Sequence, residues 1–294
     1  MGVNPARSSR SSMRVASLLA ILVAGFAVLS ARAQNPDEML PAESAAKAKS
    51  ILQDAIGGLG GPAYLEMRNS DCAARFAQFD SSGDAAGSLE VRIVKEPPDK
   101  SRIEFHGDNY ITTLFYYEVH GKSTVVNLFS GDQGWMLDKD GVSALPADSL
   151  ADYHEQNKAD LNTILRQRMN DQSLALRYGG TEIVDLKQVD WVEISDKNQL
   201  NLRVAIDRKT HLPVRTIAVV QDSRAGGRIP MEARYSNYQL LDGIQTAMQV
   251  VHYRKGLQSD QLFLRSCHYN QSLAPDYFTR ASLDASAPQV RKKK

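Results

Sequence analysis

The stretch Leu202-Arg203-Val204-Ala205-Ile206-Asp207-Arg208-Lys209-Thr210-His211-Leu212-Pro213-Val214-Arg215 decides the fold. Leu202, Val204 and Ile206 alternate with Arg203, Ala205 and Asp207. That period of two marks a strand with one wet face. Residues 214–220 take up the next strand, and 232–241, 245–253 and 257–269 continue an antiparallel meander. An earlier meander has the same grammar. Leu89, Val91 and Ile93, then Ile103 and Phe105, residues 111–119 and 123–129, and Trp135 with Leu137 are short strand candidates. Turn residues separate them, among them Ser81-Ser82-Gly83-Asp84, Pro97-Pro98-Asp99, His120-Gly121-Lys122 and Ser130-Gly131-Asp132.

Two segments break this period. Ala45, Ala46, Ala48, Ile51, Leu52 and Ala55 place an apolar stripe on a helix over 42–56, stopped by Gly57-Gly58-Leu59-Gly60-Gly61-Pro62. Leu150, Tyr153, Leu161, Ile164, Leu165, Met169 and Leu174 predict helix over 146–177, ended by Gly179-Gly180. No segment rich in Pro, Gly or Ser splits the chain. The class expected is α+β, a single curved antiparallel sheet of about 10–11 strands with helices on one face; a closed barrel is the competitor.

The N-terminus predicts export. Arg7, Arg10 and Arg14 precede an apolar run at 15–29, and Ala31-Arg32-Ala33 fits the small-x-small cleavage rule. Residues 1–33 therefore read as a cleaved Sec-type signal peptide, with an uncleaved anchor as the alternative. The location is periplasmic, and the mature chain spans no membrane. The domain occupies 34–281, and 282–294, ending Arg291-Lys292-Lys293-Lys294, reads as a disordered basic tail.

Charge and motifs exclude more than they identify. The chain has 35 Lys+Arg and 34 Asp+Glu in 294 residues; without the four Arg of the leader, 31 basic groups face 34 acidic ones. That balance argues against nucleic acid. Gly121-Lys122-Ser123-Thr124 imitates a P-loop, but Tyr116 stands where its first glycine belongs, so a hairpin turn is expected. His154-Glu155 imitates a zinc-protease helix, but Lys158 replaces the second histidine. The six histidines lack ligand spacing and no G-x-S-x-G occurs. Neither an enzyme, a metal nor a cofactor is expected. Cys72 and Cys267 are the only cysteines. In an oxidising compartment they pair if the sheet curls enough to bring its first and last strands together; two buried free thiols are the alternative.

Residues 206–215 resemble the D-x-x-T-x-L-P hairpin of LolA-like outer-membrane lipoprotein carriers. Tyr235-Ser236-Asn237-Tyr238 with Asp242-Gly243-Ile244 resembles the strand pair that follows it. Gly131-Asp132-Gln133-Gly134-Trp135 resembles the family's glycine-then-tryptophan strand start, and the opening helix ending in Gly57-Gly58 fits as well. The resemblance runs over residues 43–280. Two departures stand out: Ala247 occupies a position where many relatives have proline, and no residue matches the gating arginine of the lipoprotein chaperones.

The resemblance implies an unclosed half-barrel with helices in its concave side, and a non-enzymatic carrier of lipid or lipoprotein acyl chains. The alternative is an RseB-like envelope sensor that binds a protein partner. A monomer is expected. Strand alternation offers Phe105, Phe115, Tyr117, Trp135, Leu202, Val204, Tyr235 and Met248 for an apolar groove between the sheet and residues 146–177, with Trp135 buried against a helix.

Overall fold

A 3-10 turn at Pro36–Glu38 leads into helix α1 (Pro41–Leu59) and the single turn α2 (Pro62–Leu65). Eight strands follow: β1 (Ser70–Phe79), β2 (Ala85–Glu96), β3 (Lys100–His106), β4 (Thr112–Leu114), β5 (Tyr117–Val119), β6 (Thr124–Ser130), β7 (Gln133–Asp138) and β8 (Gly141–Ala144). Helix α3 (Ala147–Lys158), the short α4 (Leu161–Thr163) and a π turn at Ile164–Arg168 lead to the second set. That set comprises β9 (Ala175–Val184), β10 (Lys187–Ser195), β11 (Asn201–Asp207), β12 (Pro213–Asp222), β13 (Gly227–Leu241), β14 (Ile244–Arg254) and β15 (Leu257–Tyr269), and α5 (Arg280–Lys292) ends the chain. This computed structural model describes residues 36–107, 112–114, 117–119, 124–223 and 225–292. The leader read at 1–33 and the groove candidate Phe115 lie outside the described residues, as does the side chain of Tyr117.

Thirteen strands form one antiparallel sheet in the order β8-β7-β6-β3-β2-β1-β15-β14-β13-β12-β11-β10-β9. It is open at β8 and β9, while among the described residues β4 and β5 pair only with each other. The first meander therefore runs from the middle outward. The helical segment then carries the chain to the opposite edge, and the second meander returns to close on β1. The fold is thus the open half-barrel of the expected class, with more strands. The hairpin turn expected at Gly121-Lys122 lies outside the described residues.

Cys72 opposes Cys267 in the β1–β15 register, and the two form a disulfide with Cα atoms 4.0 Å apart. No curling of the sheet's edges is involved, because the first and last strands are neighbours at its centre. Side chains clamp the same seam: Asn69 Nδ2 donates to Gln271 O (2.9 Å), and Gln271 N donates to Asn69 Oδ1 (2.8 Å).

The two faces of the sheet separate by alternation. On the inner face, Val192, Ile194, Leu202, Val204, Ile206 and Val220 meet Ala48, Leu52 and Ala55 of α1 and Leu161, Ile164 and Leu165. Further along that face, Phe76, Leu89, Val91, Phe105 and Val125 form a second cluster that contains no helix residue. The outer face holds Val189, Trp191 and Ala205 in one cluster, and Val94, Val126, Leu128 and Leu137 in another.

Three expectations are corrected here. Residues 282–292 are not a frayed tail: they belong to α5, which packs on the outer face, where Leu283 is fully buried beside Phe278. Buried Arg102 anchors it, donating to Ser282 Oγ (3.2 Å) and Ser286 Oγ (3.4 Å). Helices therefore lie on both faces, not on the concave one alone. Second, helix ends at Arg168, and Ala175 already begins β9. Gly179-Gly180 does not stop a helix. It lies at the β9 irregularity opposite Trp191/Val192, where a Cβ on Gly179 would come within 3.1 Å of Trp191 Cβ. Third, Trp135 shares the outer face with Leu137 and is only half-buried, in the cluster that contains Leu283 of α5.

At one corner the separate sequence signals converge. A Cβ on Gly58 would sit 3.0 Å from Thr210 O in the β11–β12 turn, and one on Gly60 would sit 2.4 Å from Gly243 O in the β13–β14 turn. Gly60 also has φ +132°, which glycine alone tolerates well. The glycines at the end of α1 thus let the helix seat against both hairpin turns.

Candidate functional site

The inner face is covered unevenly. Where α1 crosses β10–β12 the sheet is packed solid, with Leu202 1% and Val204 0% exposed. From the last residue of α1, Leu59, onward the same face borders two adjoining cavities that share Ile93.

The first cavity, about 290 Å3, lies between the sheet and residues of α2, α3 and α4. Tyr64, Tyr153, Tyr235, Tyr238 and Tyr269 line it. Their hydroxyls are largely occupied. Tyr64 donates to Asn162 Oδ1 (2.9 Å) and Tyr238 to Pro213 O (2.8 Å), while Tyr235 pairs with Thr216 Oγ1 (3.1 Å) and Tyr269 with Thr246 Oγ1 (2.6 Å). Burial pushes the phenols of Tyr153 and Tyr235 up to about 12, so they stay neutral. Tyr153 stacks on Phe129 with ring centroids 3.9 Å apart. The Arg166 guanidinium donates to Tyr64 O (3.1 Å) and to Met67 O and so closes the α2 turn; Lys95, Lys100 and Asp160 line the cavity as well. The Cys72–Cys267 disulfide forms part of the floor.

The second cavity, about 580 Å3, is walled by Phe76, Val91, Ile103, Phe105, Met231 and Leu262. One end is polar. His252 Nδ1 lies 2.5 Å from Asp260 Oδ1, and Ser259 Oγ donates to Asp260 Oδ2 at 2.8 Å. Burial pulls the His252 pKa down, but the Asp260 charge and hydrogen bond outweigh it and leave it raised. Burial likewise raises Asp260, and His252 outweighs that, leaving its pKa lowered. The two form an ion pair. Among the described residues no group of three or more His, Cys, Asp and Glu is placed to hold a metal.

The groove candidates separate accordingly. Phe105 lines the larger cavity and Tyr235 the smaller. Leu202 and Val204 share their face but lie under α1, and Met248, 7% exposed, alternates with Thr246 and Val250 on the inner face. Trp135 is on the opposite face. Sequence reasoning missed Phe76, Ile103 and Leu262, whose alternation is as regular as that of Phe105, and the His252–Asp260 pair, which only the β14–β15 register reveals.

No family model and no curated protein matches the chain. Solved structures do. A DUF1329 family protein from Desulfovibrio piger superposes with a TM-score of 0.55 at 14% identity, over 80% of this chain and 98% of that one. A domain assigned to outer-membrane lipoprotein sorting, from Vibrio parahaemolyticus, gives 0.51 at 14% identity over 82% and 99%. A LolA superfamily protein of Nitrosomonas europaea gives 0.50 at 13% over 80% and 99%. At these identities the likeness is one of architecture, and the architecture of this chain is the LolA-like fold.

Proposed function

We propose that the protein is a non-enzymatic carrier that holds acyl chains of a lipid or lipoprotein in the apolar cavities of its inner face. The observation that carries this reading is the hollow between the sheet and its helices, whose larger part, about 580 Å3, is walled by Phe76, Val91, Ile103, Phe105 and Leu262. That volume is in the range of small-molecule sites. Ten buried CH2 groups would contribute about 8 kcal/mol before ordering costs, enough for useful affinity with few polar contacts. The neutral tyrosine lining of the smaller cavity suits the same cargo. The LolA-like architecture agrees with the reading.

Residues 1–33, read as an export leader, support a periplasmic location, and the carrier is taken to act as a monomer without cofactor. Intact mass of the envelope fraction tests this: a chain beginning at Gln34 is expected, and one that retains residues 1–33 contradicts it. For the cargo, mass spectrometry of an organic extract of natively purified protein should find acyl lipid in stoichiometric amount. An extract without lipid, together with recovery of a stable envelope protein partner, would favour the interaction-module alternative.

A further inference from the structure

The inner face changes polarity between two neighbouring rows of the sheet. Phe76, Leu262 and Val250 stand side by side on β1, β15 and β14. One row further, Gln78, Asp260 and His252 occupy the same three strands. Phe76 and Leu262 line the larger cavity, and so do all three polar residues. A ligand filling that cavity therefore meets hydrocarbon along most of its length and polar groups at one end.

The chemistry of that end is selective. Both cations that line it are already held by carboxylates, His252 by Asp260 and Arg254 by Asp222. Asp80 also lines the cavity, its carboxylate accepting from the backbone N–H of Ser82 (2.8 Å) and Asp84 (3.0 Å). Among the described residues that line this cavity, the buried side-chain atom without a partner is an acceptor, Gln78 Oε1. A desolvated amide oxygen is costly until a donor reaches it. An incoming anion would find both lining cations already paired and would face the carboxylates of Asp80 and Asp260. Lys95, which makes no ion pair among the described residues, lines the other cavity, though its charge reaches His252.

We infer that the larger cavity takes a single-chain lipid with an uncharged, hydroxyl-bearing headgroup, its acyl chain against Phe76, Phe105 and Leu262 and its hydroxyl donating to Gln78 Oε1. This rests on the carrier reading above and specifies the cargo's polar end.

The test compares a monoacylglycerol with the fatty acid of equal chain length at pH 8, by displacement of a fluorescent acyl probe from the wild type and from Gln78→Met. The monoacylglycerol should bind about tenfold more tightly to the wild type, the value of one satisfied buried hydrogen bond. In Gln78→Met the two ligands should fall within about twofold of each other. The wild-type ratio needs no variant, so poor folding of Gln78→Met leaves the inference open to refutation. It is overturned if the fatty acid binds as tightly as the monoacylglycerol, or if the preference persists in Gln78→Met. It is also overturned if Lys95→Met abolishes fatty-acid binding, which would show that a cation and not the Gln78 amide holds the headgroup. If neither lipid displaces the probe, the carrier reading itself fails.

Discussion

Across β10–β12 the inner face of the sheet is solid; across β1–β3 it is hollow. Both regions follow the same alternation, with Leu202 and Val204 in the first and Val91 and Phe105 in the second. What differs is the cover. Helix α1, 19 residues long, spans the first region and fills it with Ala48, Leu52 and Ala55. Over the second, the buried cluster has no helical member, and the space remains as a cavity of about 580 Å3. Side-chain periodicity thus decides which way a residue points, and the placement of one helix decides whether it packs or lines a pocket.

The disulfide seam between the two meanders carries the largest expected effect. It closes a loop of 195 residues, which in the entropic description stabilises the fold by about 4–5 kcal/mol. Cys72→Ser with Cys267→Ser should lower the denaturation midpoint accordingly, affecting both regions alike. Thiol titration of unfolded, unreduced protein should find no free thiol; two free thiols would remove the seam from the account.

Next in size is truncation in the solid region. Leu202→Ala should cost about 3–5 kcal/mol, since α1 and its neighbours cannot collapse onto the void. The same variant should bind acyl probes normally when folded. If its midpoint stays near the wild-type value, the solid region is not solid.

Gly60→Ala should cost about 2 kcal/mol or more, because φ +132° and the approach to Gly243 O both exclude a Cβ. Gly57→Ala, with open space around it, should leave the midpoint within about 0.5 kcal/mol or raise it slightly. Equal effects would show that α1 is not seated on the hairpin turns.

The hollow region has a smaller, pH-dependent contribution from His252–Asp260. Groups facing His252 include Asp260 on β15 and Lys95 on β2, with Arg254 acting on Asp260. The folded His252 pKa lies above its ordinary 6.5, so its contribution is full below that value and is lost as pH rises through the raised one. The folded Asp260 pKa lies below its ordinary 3.8, so its share is full above that value and is lost as pH falls through the lowered one. The wild type should therefore gain most over His252→Asn between those two ordinary values. A difference that grows above pH 8 would contradict the pairing.

Much of this architecture was legible from residues 202–215 outward, because strand alternation is local. β9 was not: Leu174, Leu176 and Tyr178 do repeat every second residue, but the run is short and directly follows Leu165 and Met169 at helical spacing, so it reads as the end of that helix. α5 was not, because its few anchors, chiefly Leu283, sit beside a run of basic residues that reads as solvated. Trp135 was assigned the right partner in Leu137 but the wrong side, since alternation pairs residues without saying which face of the sheet is inside. The row Gln78–Asp260–His252 joins both ends of the chain through the central seam, and no spacing in the sequence announces it.

The central claim is that the hollow region, and not the solid one, receives an acyl chain. It is tested most directly by titrating a fluorescent fatty-acid probe into the wild type and Ile103→Trp. Ile103 is half-buried and lines the larger cavity, so a tryptophan there has room to enter it without disturbing α1. Saturable binding at one site in the wild type, weakened at least about tenfold in Ile103→Trp with the unfolding midpoint unchanged, is the predicted result. No saturable binding in the wild type, or equal affinity in a folded Ile103→Trp, would contradict the account.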